Sequence, residues 1–225
     1  MYTTLLFDND NTLLDFEKAE DCSFEKAYRK MGLNYSEEIK HRYKEINDSL
    51  WKKLESGEIT SPSLIKTLRF KILFKELEID ADSELIASYY KDFLSKSGFL
   101  MDGAQMVLKT LYGRYKMYII TNGIAEIQKS RISISGLDKY VDGIFISEEI
   151  GYSKPDKRYF DYVLSHIPEK DKSKVLVIGD RVSSDIMGAV NAGLDSVLID
   201  KSADNSGVAT YTVNSIGDII NGLSL

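Results

Sequence analysis

Two kinds of hydrophobic spacing divide this chain. Over residues 16–97 apolar positions recur at steps of three and four, as in Leu64, Leu68 and Ile72, and again in Leu85, Ile86, Tyr89, Tyr90 and Phe93. That spacing marks one face of an α-helix. Gly32, Gly57 and Pro62 interrupt it and divide the segment into about four helices. From Gly103 onward, short apolar runs alternate with helical stretches. The runs predict strands at 117–120, 144–146, 175–178 and 196–199. Helices are predicted near 104–112, 124–135, 157–166 and 185–192, the last closed by Gly193 as a C-cap. One further apolar run, residues 2–7, opens the chain as a buried strand.

Strands that alternate with helices pair in parallel through right-handed crossovers. The opening strand has to join that sheet, because a lone strand beside a helical segment leaves its backbone groups unpaired. The expected fold class is therefore α/β: a Rossmann-like parallel sheet core with an inserted helical bundle. The core is expected to comprise residues 1–15 and 99–225, and the inserted cap residues 16–98. An insertion after the first strand lies over the carboxyl edge of the sheet, where it can act as a lid.

Composition narrows the partners. A chain of 225 residues with 43% hydrophobic content buries a sizeable core in one or two domains. Its formal charge is −6, with acids and bases mixed and no basic block, which argues against a nucleic-acid polymer. A phosphate-bearing substrate would have to be drawn by a local site, since the overall field opposes it. The single cysteine, Cys22, cannot form an internal disulfide and reads as an ordinary helix residue. With no charged leader and no apolar run of membrane length, the expectation is a cytoplasmic protein without membrane contact.

The candidate chemistry starts where the first strand ends, in Asp8-Asn9-Asp10-Asn11-Thr12. Period-two geometry points Asp8 and Asp10 to one side, at the carboxyl end of the strand, where open α/β sheets bind ligands. Two carboxylates so close repel unless a cation lies between them or one takes a proton. The same residues also suit a polar turn. An EF-hand calcium loop counted from Asp8 is excluded, because Leu13 and Ala19 stand where glycine and glutamate are needed. Three later signals close other predicted strands: Thr121-Asn122-Gly123, Lys154-Pro155 shortly beyond the third, and Gly179-Asp180 with Asp185 after the fourth. Each alone has an ordinary reading as a turn or a helix cap. Their order along one sheet edge is the informative part.

This constellation resembles the haloacid dehalogenase superfamily, whose four motifs correspond to Asp8-x-Asp10-x-Thr12, Thr121, Lys154-Pro155 and Gly179-Asp180-x-x-x-x-Asp185. The helical insertion is similar to that superfamily's small helical cap. The resemblance implies that Asp8 is a nucleophile forming an aspartyl phosphate, and that Asp10 is the acid and base for the leaving group and the attacking water. It implies Mg²⁺ held by Asp8, the main-chain carbonyl of Asp10, and Asp180, with Asp185 orienting a water or a neighbouring group behind them. Thr121 and Asn122 would bind the phosphoryl oxygens, and Lys154 would pair with Asp8 and the phosphate. Dehalogenases need no acid at the position of Asp10, whereas phosphatases do, so the resemblance favours a phosphatase. Asn9 and Asn11 depart from the apolar and acidic residues usual between these motif positions.

Longer segments resemble the pyrimidine 5′-nucleotidases of the YjjG/YfnB type. They include 47–51, 57–61, 69–70, 146–151, 160–164 and 184–194. The expected substrate is a nucleoside 5′-monophosphate, with a pyrimidine base that includes noncanonical ones. In the cap, Trp51 could stack on a base, Asn47 could read its edge and Arg69 could contact substrate. The structural alternatives are a bundle anchor for Trp51, an exposed polar residue for Asn47 and a surface ion pair for Arg69. His41 and His166 are assigned no catalytic role. Two other enzyme functions fit the same motifs, a sugar phosphomutase and a sugar-phosphate phosphatase. A phospho-aspartate signalling module is the non-enzymatic alternative.

Overall fold

The computed structural model describes residues 1–200 and 207–222. Six parallel strands form one sheet in the order β3-β2-β1-β4-β5-β6. In chain order they are β1 (Thr4–Asp8), β2 (Lys116–Thr121), β3 (Gly143–Ile146), β4 (Val175–Gly179), β5 (Asp195–Ile199) and β6 (Tyr211–Val213). The central strands β1 and β4 are buried along their whole length because helices cover both faces. Leu5 and Phe7 face one layer, built with Val107, Leu108, Leu111 and Ile219. Leu6, Val175 and Val177 face the other, built with Tyr159, Phe160, Val163 and Ala189.

After β1 the chain forms the four helices of the insertion, α1 (Phe16–Lys30), α2 (Glu37–Glu55), α3 (Pro62–Glu76) and α4 (Ser83–Ser95). Each starts at a side-chain cap: Asp15, Ser36, Ser61 and Asp82 accept from main-chain N–H groups of the first turn. Pro62 occupies the first turn of α3, where its missing N–H costs nothing. These helices share a core of their own, including Phe24, Tyr43, Phe70 and Tyr90, into which Ile124 and Ile127 also pack. The two crossing segments run side by side. Asp15 N donates to Phe99 O at 3.0 Å and Met101 N to Leu13 O at 2.9 Å.

The remaining helices are α5 (Ala104–Leu111), α6 (Ala125–Ser135), α7 (Ser147–Ile150), α8 (Lys157–His166), α9 (Met187–Ala192) and α10 (Ile219–Gly222). No helix among the described residues is long and apolar enough to cross a membrane.

Three expectations need correction. The stripe Leu64, Leu68 and Ile72 is not the buried face of α3, since Leu64 is 55% and Leu68 36% exposed. The face that packs is Ile65, Arg69, Phe70, Leu73 and Phe74, because the aromatic rings carry more burial than the leucines they displace. Leu85 is likewise exposed, and α4 buries Ile86, Ala87, Tyr90 and Leu94 instead. The helix expected from residue 185 begins earlier, as a π-helical turn over Val182–Ile186 that runs into α9. The edge strand β6 and the one-turn α7 had no hydrophobic period long enough to announce them.

Candidate active site

The carboxyl ends of β1, β2 and β4 converge on one spot. Asp8 is the last residue of β1, Thr121 the last of β2 and Gly179 the last of β4. Lys154 reaches them from the loop before α8 and is 1% exposed. Its Nζ donates to Asp8 Oδ1 and to Asp185 Oδ1, both at 2.6 Å, and to the main-chain oxygen of Ile120 at 3.1 Å. Burial alone would lower the pKa of Lys154, but Asp185 and Asp8 outweigh it and hold the ammonium above its ordinary value.

Asp185 is committed on both oxygens, since Oδ2 accepts from Arg181 N at 3.1 Å. A side chain on Gly179 would collide with that carboxylate, which explains the glycine at the end of β4. Asp180 accepts from Thr12 Oγ1 at 3.4 Å. Oxygens of Asp8, Asp180 and Asp185 lie within 4.8 Å of one another. Burial, then the neighbouring carboxylates, push Asp8 well above the usual carboxylate range. Burial and then Asp185 raise Asp180 to about 7, against Arg181 and Lys154. Like charges crowded in this way are relieved by a cation, and an all-oxygen donor set suits a hard divalent ion such as Mg²⁺. Asp8, Asp180 and Asp185 are the side chains that could hold it, and of these Asp185 already accepts a hydrogen bond on each oxygen.

Thr121 Oγ1 accepts from Gly123 N at 3.0 Å. The Asn122 side chain forms a two-way clamp with the Lys154 main chain: its Nδ2 donates to Lys154 O and its Oδ1 accepts from Lys154 N, both at 2.8 Å. Asn11 has φ 61°, a left-handed conformation that asparagine tolerates, and its Oδ1 accepts from Phe16 N and Glu17 N at the start of α1. Asn9 is fully buried and donates to Gln128 Oε1. The two asparagines thus fix the loop and the entry to α1.

Above this floor lies a cleft of about 820 Å³, part of it open to solvent, whose wall includes Asn47, Trp51 and Arg69. The structural alternatives for Asn47 and Arg69 fail here. Asn47 is 2% and Arg69 3% exposed. Arg69 forms no ion pair among the described residues; its Nη1 donates to Asn47 Oδ1 at 3.0 Å, and Asn47 Nδ2 donates to Glu20 Oε1 at 2.9 Å. The guanidinium carbon lies 4.3 Å from the Tyr90 ring centroid. Trp51 is half-buried at the cleft wall. Burial raises Glu20 to about 7 despite the opposing charges of Arg69 and Lys44.

Residues not singled out from the sequence complete the site. Asp10 is held by α6: Gln128 Nε2 donates to its Oδ2 at 2.6 Å, and Arg131 Nη1 pairs with its Oδ1. Glu55, at the end of α2, accepts from Arg181 Nη1 at 3.1 Å and from Ser183 Oγ at 3.0 Å. Gln128 and Arg131 did carry a signal: both share the buried face of α6 with Ile127 and Ile132, where polar side chains need a reason.

Residues 2–193 match the haloacid dehalogenase-like hydrolase family profile. YfnB of Bacillus subtilis, named a HAD-hydrolase, is 38% identical over 195 residues, covering 87% of this chain and 83% of its own. Pyrimidine 5′-nucleotidase PynA of Streptococcus pneumoniae is 38% identical over 197 residues, with the same coverage of 87% and 83%. Pyrimidine 5′-nucleotidase YjjG of Escherichia coli is 31% identical over 218 residues, covering 96% and 95%. A magnesium-bound crystal structure of B. subtilis YfnB superimposes with a TM-score of 0.93 at 35% identity, covering 100% of this chain and 99% of that one. With its sheet order, its motif residues gathered at one edge and these relatives spanning nearly its whole length, the chain belongs to the haloacid dehalogenase-like hydrolases and is an enzyme of that family.

Proposed function

We propose that this hydrolase is a Mg²⁺-dependent phosphomonoesterase acting on pyrimidine nucleoside 5′-monophosphates through an aspartyl phosphate on Asp8. The observation that carries the reading is the position of Asp8. Its carboxylate lies on the floor of the cleft with Lys154 on one oxygen, below a cap wall that offers an amide, a guanidinium and an indole.

Asp8 attacks phosphorus in line with the ester oxygen, and Asp10 delivers a proton to that oxygen as it leaves. Water then attacks the aspartyl phosphate, Asp10 takes its proton, and inorganic phosphate departs. Lys154 stays paired with Asp8 and meets the charge that develops on the transferred group. Asp185 holds Lys154 in place. The Thr121 hydroxyl orients the phosphoryl oxygens. Mg²⁺ bound by Asp8, the main-chain carbonyl of Asp10, and Asp180 would offset the repulsion between an anionic nucleophile and an anionic ester.

Residues 16–98 serve as the cap that closes on substrate, with 1–15 and 99–225 as the core. Trp51, Asn47 and Arg69 form the part of the wall that meets the base. The nucleotidase names of PynA and YjjG, and the magnesium in the YfnB structure, support the substrate and the metal respectively.

The test is phosphate release from a panel of nucleoside monophosphates and sugar phosphates, with Mg²⁺ and with chelator, for the wild type, Asp8→Asn and Asp10→Asn. Metal-dependent hydrolysis that prefers pyrimidine 5′-monophosphates and is lost in both variants is the expected result. Hydrolysis of sugar phosphates alone would overturn the substrate assignment and leave the catalytic one standing.

A further inference from the structure

Arg131 lies where three parts of the molecule meet. It is fully buried, an expensive place for a guanidinium. Nη1 pairs with Asp10 Oδ1 at the cleft, and Nε donates to the main-chain oxygen of Ser97 at 3.0 Å. The planar group also lies 5.4 Å from the ring centroid of Phe16. Ser97 belongs to the segment through which the chain returns from the four-helix insertion, and Phe16 is the residue at which it enters. Nη2 has no hydrogen-bond partner among the described residues. One rigid fork therefore touches Asp10 and both crossings between cap and core.

The other oxygen of Asp10 is held differently. Gln128 grips Oδ2, and Gln128 is itself fixed by Asn9 and folded against Gly123, where any side chain would collide with it. So Oδ2 is tied to the sheet core and Oδ1 to the crossings. A turn of the cap that moves Ser97 and Phe16 has to move the guanidinium or break its bonds, and either changes what holds Oδ1. The neighbouring contact runs the same way, with Ser130 Oγ donating to Ser95 O at 2.8 Å.

We propose that Arg131 is a positioning residue that couples the cap's placement to the orientation of Asp10, the proton donor to the leaving group. The inference rests on the acid role given to Asp10 above. Arginine suits it because its fork binds two partners in fixed relative geometry, which a lysine ammonium cannot do.

The experiment compares kcat/KM, which reports the steps through formation of the aspartyl phosphate, for two kinds of ester. An alkyl ester (the nucleoside 5′-monophosphate or sugar phosphate hydrolysed best) needs its leaving oxygen protonated. p-Nitrophenyl phosphate has a leaving group that departs without a proton. Arg131→Met is expected to lose about 100-fold on the alkyl ester and less than about tenfold on p-nitrophenyl phosphate, matching the pattern of Asp10→Asn. Arg131→Lys, which keeps the charge and loses the fork, is expected to show the same discrimination at a smaller loss, and it decides the matter if the methionine variant does not fold. Equal losses on both esters in a folded Arg131 variant, with Asp10→Asn still discriminating, would overturn the coupling alone. Equal losses in Asp10→Asn as well would overturn its acid role and this proposal together.

Discussion

The Lys154 ammonium lies 2.6 Å from Asp185 Oδ1, and both side chains are almost wholly buried. Such a pair is a poor source of net stability, but breaking it is costly because the survivor stays buried and unpaired. Lys154→Met leaves both Asp8 and Asp185 without a counter-charge. Its unfolding free energy in chelator, measured in urea, is expected to fall by about 3 kcal/mol. The double variant Lys154→Met/Asp185→Asn is expected to lose less than the two single variants summed, and strict additivity would count against the coupling.

Glu55 fastens the end of α2 to Ser183 and to Arg181, a residue of the cleft wall. Arg181 is half exposed, so the link contributes little to global stability. If the cap closes on substrate as proposed, this link between α2 and the core bears on that closure. Glu55→Ala is expected to raise KM several-fold with kcat nearly unchanged, and a fall in kcat at constant KM would argue against a role in closure.

Trp51 is the single tryptophan in the chain, so its emission reports on one wall of the cleft. In Asp8→Asn, which cannot turn over, saturating uridine 5′-monophosphate is expected to change the fluorescence, and ribose 5-phosphate to leave it nearly unaltered. An identical response to both ligands would remove the base from the indole.

Glu20 has a pH signature with a definite sign. Burial raises its carboxyl to about 7 from a usual 4.5. Between those values the folded state holds more protons than the unfolded chain, so this contribution is full below the lower value and lost as pH rises through the upper one. Glu20→Gln keeps the acceptor oxygen for Asn47 and removes the titration. The variant's stability relative to wild type is expected to improve by on the order of 3 kcal/mol between pH 4 and pH 8. Parallel pH profiles for the two proteins would contradict it.

The sheet and its edge were legible because both rest on local patterns. Apolar runs marked the five longer strands to within two residues, and Asp8, Thr121, Lys154, Asp180 and Asp185 each stand just after such a run or a turn signal. What escaped was set by pairings far apart in the chain. Arg131 and Gln128 read as two polar residues of a helix, and only the placement of α6 against the loop after β1 brings them to Asp10. The burial of Asn47 and Arg69 was misjudged for a related reason. A charged residue on an apolar helix face defaults to solvent, unless another helix supplies a partner, as α1 and α2 do here through Glu20 and Asn47.

The sheet order also bears on how the chain folds. Thr4 pairs with Lys116, so the central strand meets β2 only across a stretch that contains five helices, α1 to α5. Closing so long a loop from an unstructured state carries a large entropic cost, and non-local pairing of this kind slows folding. Of these, α1 to α4 have their own aromatic cluster and their partners close in sequence, so they can condense first and shorten the loop that remains. Loosening that cluster with Phe24→Ala is then expected to retard the growth of sheet structure in refolding, although Phe24 belongs to the core of the insertion and not to that of the sheet. The insertion that roofs the cleft would thereby also set the pace at which the floor is assembled.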